Sequence, residues 1–298
     1  MKRSGRSAVS FCTIHGAALF VMCTLCIAQK ALAQLNHTLR DSAQIDYSQL
    51  IGCGAVTIAG GLAVHFARYQ PLWKNHFTAF HVREDYTYAL NQDKLLHAYG
   101  GTVGSALWSE GFVSSGFTEG DAALYGAVTS FAFLTFMKVE DGYIDYLGFD
   151  RADELGNLLG SAYPLVQYHV PFLNSFTPKA SYRASPNDVV ATGQSLPGFL
   201  EDHEGQKFWI GVTVHDLLPD NLKPYWPSLV GIAVGRAVQG LQNGKPSGEL
   251  FLALDVDLRK LPGNSPLLRT VLRFLNYVHL PMPAVRITPS VVWYGFYL

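Results

Sequence analysis

Charged side chains are scarce in this chain. Asp, Glu, Lys and Arg make up 15% of its 298 residues, whereas hydrophobic residues make up 49%. No basic run or stripe follows the first segment of the chain, so the surface that a nucleic-acid partner would require is missing. A composition this apolar is unusual for a soluble exported domain, and it predicts contact with membrane lipid.

Cysteine is nearly absent after the first segment. Three of the four cysteines, Cys12, Cys23 and Cys26, lie within the first 33 residues. Only Cys53 remains, so no disulfide can form within an exported chain that has lost this segment. Residues 50–53 read Leu-Ile-Gly-Cys, which resembles a lipoprotein cleavage box. This box lies well past a better cleavage site, so we interpret Cys53 as a small helix-packing residue.

Residues 1–33 predict a secretory signal peptide. Three basic residues precede an apolar stretch that is densest over residues 17–27, and Ala31-Leu32-Ala33 offers a cleavage site before Gln34. Cleavage would remove four basic residues and no acid, so 22 basic and 23 acidic residues would become 18 and 23, a net charge of −5. We therefore expect an exported cell-envelope protein, associated with the inner or the outer membrane and facing the periplasm.

Residues 34–174 predict a helical, membrane-associated domain. Four apolar segments are separated by short polar connections, running from Leu50 to Phe66, from about Asn91 to Phe112, from Asp121 to Val139 and from Asp150 to Tyr168, with a possible kink at Pro164. Because the connections are short, consecutive helices should be antiparallel neighbours.

Residues 175–298 predict a β-rich region packed on the bundle. About five runs alternate apolar residues with polar or small ones, with turns at Asn243-Gly244 and Pro262-Gly263 and a short helix from Leu267 to Leu275. The expected fold class is therefore α+β, an apolar bundle of about four helices followed by an open antiparallel sheet of about five strands. The aromatic end of this sheet, Trp293, Tyr294, Phe296 and Tyr297, either binds a protein partner or fills the interface with the helices.

The most unusual stretch is residues 140–161, where acids and an amide lie between two apolar runs. Asp150, Asp153, Asn157 and Gly160 follow the spacing i, i+3, i+7 and i+10, which places them on one helix face. Helix capping would explain Asp150, and a capping box would explain Asp153, but neither explains Asn157. An unpaired buried carboxylate is costly, so this stripe requires a partner, a proton or a cation.

Glycines share these polar faces. Asp93 and His97 lie on the same predicted helix face as a series of glycines spaced three or four residues apart. Such glycines let a neighbouring helix approach closely. The residues predicted to serve helix packing are Gly100, Gly104, Gly156 and Gly160.

Antiparallel order should bring polar residues from three helices to one end of the bundle. The predicted cluster consists of Asp93, Lys94, His97, Glu140, Asp141, Asp150, Asp153 and Asn157. It could be a structural network that pairs Lys94 with Glu140 and His97 with Asp153. It could also bind a phosphate or lipid headgroup through Lys94 and helix N-termini.

A metal site is a further alternative, with His97, Glu140 and Asp153 as candidate ligands. No His-x-x-x-His or Cys-x-x-Cys pair occurs after the first segment, and no cofactor is indicated.

A hydrolase acting on an envelope lipid, with or without metal assistance, is the alternative from another class. His97 beside a carboxylate could act as a general base, and Ser105 or Ser161 as a nucleophile. No Gly-x-Ser-x-Gly or comparable nucleophile elbow is present, which favours a non-enzymatic role. A structural or assembly factor of the envelope is the third class.

Three motifs, which follow one another in a fixed order along the chain, resemble those of a known family. Residues 93–99 read D-K-L-L-H-A-Y, residues 138–142 read K-V-E-D-G, and residues 148–160 read G-F-D-R-A-D-E-L-G-N-L-L-G. With these motifs the chain resembles the YfiM-like family of predicted periplasmic lipoproteins, whose activity is not established. It is more distantly similar to VanZ-like membrane proteins, which are associated with glycopeptide resistance.

The resemblance covers about residues 70–168 and implies a small helical envelope domain. The matching positions are Asp93, Lys94, His97, Glu140, Asp150, Asp153, Asn157 and Gly160. The chain departs from the lipoprotein pattern at Ala33-Gln34, where no cysteine is available for lipid attachment.

Overall fold

The computed structural model describes residues 45–52, 54–55, 73–185, 199–263 and 265–297. The predicted signal peptide, Cys53 and most of the predicted helix over residues 50–66 lie outside the described residues. The chain divides into two compact units. Of the described residues, those within Met1–Asp85 and Gly100–Tyr168 form the helical unit, and those within Tyr86–Tyr99 and His169–Leu298 form the sheet unit.

Three long helices follow one another along the chain: α1, Gln92–Ser114; α2, Glu119–Asp141; and α3, Arg151–His169. Side-chain caps fix two of their starts. The Thr118 hydroxyl accepts a hydrogen bond from the Asp121 amide before α2, and the Asp150 carboxylate accepts one from the Ala152 amide before α3. The predicted helices are confirmed within about two residues at each end, and so is the interpretation of Asp150 as a cap.

Small residues join the three helices within the helical unit. A Cβ atom built on Gly101 of α1 would lie 2.7 Å from the Ser161 amide nitrogen and 2.9 Å from the Asn157 carbonyl oxygen of α3. The Thr102 hydroxyl donates to the Gly160 carbonyl at 3.2 Å, and the Ser130 hydroxyl of α2 donates to the Gly101 carbonyl at 3.0 Å. The helices are therefore close enough for side chains to bond the backbone of a neighbour.

The position of closest approach differs from the prediction for Gly100. A Cβ atom there would have no atom within 4 Å, whereas one on Gly104 would lie 2.7 Å from the Ser130 hydroxyl oxygen. Gly156 and Gly160 are buried in α3. Gly101, the next residue along α1, therefore has the role expected of Gly100.

Gly101→Ala should destabilise the helical unit by roughly 1 to 3 kcal/mol, because its Cβ would overlap the backbone of α3. The matched Gly100→Ala variant should be neutral or slightly stabilising, since alanine favours a helix more than glycine. Denaturant unfolding in mild detergent measures both variants. Equal stabilities for the two would contradict the packing of α1 on α3.

The sheet unit contains six strands, each antiparallel to the next in chain order. They are β1, Phe176–Tyr182; β2, Gln206–Val212; β3, Val230–Gln239; β4, Ser247–Val256; β5, Met282–Thr288; and β6, Val292–Tyr297. The predicted count of five is short by one, because the last alternating run is a hairpin of β5 and β6. Helix α4, Pro266–Leu275, confirms the predicted short helix.

The two faces of the sheet differ in their side chains. Its inner face contains the register row Lys179, Trp209, Gly235, Phe251 and Arg286, and its outer face contains the row Ile210, Val234, Leu252, Val285 and Trp293. Trp209 and Phe251 form the inner core with small residues such as Ala233 and Ala253. The open antiparallel sheet following a helical region confirms the predicted α+β class.

Candidate functional site

A buried lysine connects the end of α2 with the start of α3. The Lys138 ammonium lies 3.0 Å from an Asp141 carboxylate oxygen and 2.8 Å from one of Asp153. Burial alone would lower the pKa of Lys138, but the two carboxylates raise it above its ordinary value. Lys138 therefore remains charged and compensates two acids that would otherwise be costly to bury.

Glu140 lies in the last turn of the same helix and is 7% exposed. Neither of its carboxyl oxygens has a hydrogen-bond partner among the described residues. Burial, together with the negative charge of Asp141, raises the pKa of Glu140 to about 8. This carboxyl group is therefore mostly protonated at neutral pH, when it can donate a hydrogen bond, and a nearby cation would favour its ionised form.

An extended segment fixes the connection between α2 and α3. The His81 amide donates to the Gly142 carbonyl at 2.9 Å, and the Phe149 amide donates to the His81 carbonyl at 3.0 Å. The Asp85 amide donates to the capping carboxylate of Asp150 at 3.1 Å. These bonds hold the end of α2 beside the start of α3, where Lys138 pairs with Asp153.

The remaining residues of the predicted stripe are buried on α3. Asp150, Asp153 and Asn157 are all at most 5% exposed. The Asn157 amide donates to a Glu154 carboxylate oxygen at 3.0 Å, and the Thr135 hydroxyl of α2 donates to the other oxygen. Asn157 therefore belongs to a polar contact between α2 and α3, which capping could not explain.

Sequence reasoning missed Lys138, Thr135 and Glu154 as members of this cluster. Lys138 is the first residue of the motif K-V-E-D-G. A lysine near the end of an otherwise apolar helix is itself a signal that a buried acid lies nearby. Thr135 and Glu154 carried no comparable signal, because a threonine in an apolar helix and a glutamate in a first helical turn are both ordinary.

Asp93, Lys94 and His97 lie in the part of α1 that belongs to the sheet unit. The Lys94 ammonium lies 2.9 Å from an Asp93 carboxylate oxygen. The pairing of Lys94 with Glu140 and of His97 with Asp153, like the convergence of all three segments, stays a prediction.

The metal and hydrolase alternatives name residues that lie in the described part of the chain. Within the described ranges, no group of three or more His, Cys, Asp or Glu side chains is arranged to hold a metal ion. Ser161 donates to the Ser130 hydroxyl oxygen at 3.1 Å, and the buried Ser105 hydroxyl has no partner among these residues. Neither serine hydroxyl therefore has a histidine partner among the described residues.

The sheet unit holds a second buried cluster, which the sequence did not indicate. The Lys179 ammonium lies 2.8 Å from an Asp255 carboxylate oxygen and 3.1 Å from the Asn276 side-chain oxygen. His279 stacks on Trp209 at a ring distance of 4.0 Å, and burial, with the charge of Lys179, lowers its pKa to about 4. Lys179 is 2% exposed and His279 is 1% exposed, and the Lys179–Asp255 pair joins β1 to β4.

Comparison with known proteins gives one family match. Residues 83–169 match the family described as predicted periplasmic lipoprotein (DUF2279), which confirms the resemblance to that family, while the VanZ-like resemblance stays a prediction. No curated protein and no solved structure matches the chain. The family match supports an exported envelope protein that faces the periplasm.

Proposed function

We propose that this envelope protein is membrane-associated, that the outer faces of α2 and α3 contact lipid acyl chains, and that Glu140 binds a positively charged group. The observation that carries the membrane association is the inverted polarity of these helices. Their buried faces are small or polar and their exposed faces are apolar, the reverse of a water-soluble bundle.

The exposed faces of both helices consist of large apolar side chains. They include Leu124, Tyr125 and Val128 of α2, and Leu155, Leu158 and Leu159 of α3. The buried positions include Ser130, Lys138, Glu140, Asp153 and Asn157. Among the described helices, α2 alone is long and apolar enough to cross a membrane by length and composition. Lipid contact explains why these apolar side chains are exposed, since acyl chains solvate them as well as the protein interior would.

The charges of the cluster favour a cation over a phosphate. Lys94, the lysine expected to bind phosphate, is paired with Asp93, and Lys138 is paired with two aspartates. Asp141 adds negative charge near Glu140, whose carboxyl oxygens have no hydrogen-bond partner among the described residues. A cationic group, such as the ammonium of a lipid headgroup, would displace the proton of Glu140 and compensate this charge.

Leu159→Lys should lower the partition of the purified protein into phosphatidylcholine vesicles by roughly tenfold or more, because placing lysine in a bilayer costs on the order of 2 kcal/mol or more. Leu159 is 61% exposed, so the lysine should not disturb the helix contacts. Flotation through a density gradient measures the bound fraction, and circular dichroism checks the fold.

Asn243→Lys, which adds the same side chain at an exposed turn of the sheet unit, is the matched control. It should float as the wild type does. Membrane association would be wrong if the wild type stayed at the bottom of the gradient. Lipid contact by the outer face of α3 would be wrong if Leu159→Lys floated equally well.

A further inference from the structure

A second apolar surface lies on the outer face of the sheet. Its central row runs through strand partners Ile210, Val234, Leu252, Val285 and Trp293. All of these except the half-buried Val285 are exposed, and Trp293 is 79% exposed. At a strand spacing of about 4.8 Å, the row is about 19 Å wide. Leu250 and Leu254 extend it along β4, and both are exposed.

The opposite face of the same strands carries their charges. Lys179 pairs with Asp255 at 2.8 Å, and Arg286 pairs with Glu249 at 2.5 Å. Lys207 lies 5.1 Å from the centre of the Tyr297 ring. The sheet therefore places ion pairs on its inner face and branched aliphatic side chains on its outer face, which is the wrong way round for a sheet in contact with water.

One charged side chain lies at the end of the outer face. Arg236 is the register partner of Phe208 and Leu250, and its guanidinium donates to the Leu90 carbonyl within the sheet unit. The central row itself contains no hydrogen-bonding group apart from the indole nitrogen of Trp293. A protein partner normally meets a polar rim and several direct hydrogen bonds. Lipid acyl chains need neither, and tryptophan is typical of the edge of a lipid-contacting surface.

Helix α4 of the same unit shows a related pattern. Leu268, Val271 and Leu275 follow the spacing i, i+3 and i+7, and all three are exposed. Arg269 is exposed beside them. An apolar stripe next to a basic side chain is typical of a helix that lies in the headgroup region of a membrane.

We propose that the outer face of the sheet is a second membrane-contacting surface, in which the row from Ile210 to Trp293 meets the acyl chains of a bilayer. This inference rests on the membrane association of the proposed function, but it requires no contact between lipid and the helical unit. The sheet unit would then be held at the membrane by its own side chains.

A spin label at Leu252→Cys tests this surface in the full chain, with the native cysteines replaced by serine and the protein reconstituted in phosphatidylcholine vesicles. Oxygen concentrates in acyl chains, whereas a nickel chelate stays in water. We expect relaxation by oxygen to exceed relaxation by nickel at residue 252, and the ratio to reverse at the matched control Asn243→Cys. A label at Val234→Cys repeats the measurement if the first variant does not fold.

Three results would overturn the inference. Nickel relaxation at residue 252 equal to that at residue 243 would place the face in water. Low relaxation by both reagents with dipolar coupling between labels would make the face an interface between two copies of the chain, and low relaxation without coupling would indicate another protein or segment. A label at Leu159→Cys separates the two proposals, because lipid contact at residue 159 with water contact at residue 252 removes only this inference.

Discussion

Lys138→Met should lower the free energy of unfolding by about 3 to 5 kcal/mol, because it removes one partner of a buried ion-pair group. Methionine retains most of the volume of the side chain but leaves Asp141 and Asp153 without the ammonium that lies 3.0 and 2.8 Å from their oxygens. Denaturant unfolding of the purified protein in mild detergent measures the loss.

Two further variants separate charge from packing. Lys223→Met removes a half-buried lysine whose partner Asp220 is 95% exposed, and it should leave stability nearly unchanged. Lys138→Met combined with Asp153→Leu should recover part of the loss, since an apolar pair can replace a buried ion pair. A single Lys138→Met variant as stable as the Lys223→Met control would show that the Lys138 contacts contribute nothing.

Glu140→Gln, unlike Lys138→Met, should raise the free energy of unfolding at pH 7, by roughly 3 kcal/mol. Burial and the charge of Asp141 raise the folded-state pKa of Glu140 from 4.5 to about 8. Folding therefore retains a proton that the unfolded chain releases. The contribution of this proton to the free energy of unfolding is fully present below pH 4.5, and it is lost as the pH rises to about 8. Glutamine resembles the protonated carboxyl and needs no proton.

Unfolding measured between pH 4 and pH 9 tests this difference. The two curves should meet near pH 4 and separate as the pH rises, and Glu119→Gln serves as a control for removing an exposed acid from the same helix. A Glu140→Gln variant less stable than the wild type at pH 7 would mean that the ionised carboxylate has a favourable partner in the folded state.

The same variant also tests the proposed cation site. Mg²⁺ and ethanolamine should each be tried as probes, and at least one should raise the stability of the wild type near pH 8 but not that of Glu140→Gln, because a ligand stabilises only the state that binds it. Inorganic phosphate is the comparison. Stabilisation by phosphate instead, or by none of the three, would contradict a cation site at Glu140.

Much of the fold followed from local patterns in the sequence. The three long helices, the short helix α4 and the alternating runs of the sheet were predicted because hydrophobic periodicity and turn residues act over a few positions. The Asp150 cap was predicted for the same reason, since a capping side chain bonds an amide two residues away. The division of one long alternating run into β5 and β6 was missed, because a run continues in sequence through a tight turn.

Local patterns in the sequence could not predict which residues pair with one another in the candidate site. Lys138 and Glu140 are two residues apart on one helix, yet Lys138 has two acids within 3.0 Å and Glu140 has no hydrogen-bond partner among the described residues. Helices that are apolar on nearly all sides do not indicate which face packs on which neighbour. Gly100 and Gly101 therefore looked equivalent, although only a Cβ on Gly101 would meet the backbone of α3.

The sequence by itself determined the class of fold, the positions of its helices and most strands, and the presence of acids among apolar residues, because each of these is encoded within a few neighbouring positions. The tertiary structure decided which charges neutralise one another and which side chains are exposed. Those properties depend on contacts such as Lys179 with Asp255, which are far apart in the chain and 2.8 Å apart in space. The packed chain therefore buries the charged groups of Lys138 and Lys179 while it exposes Leu159 and Trp293.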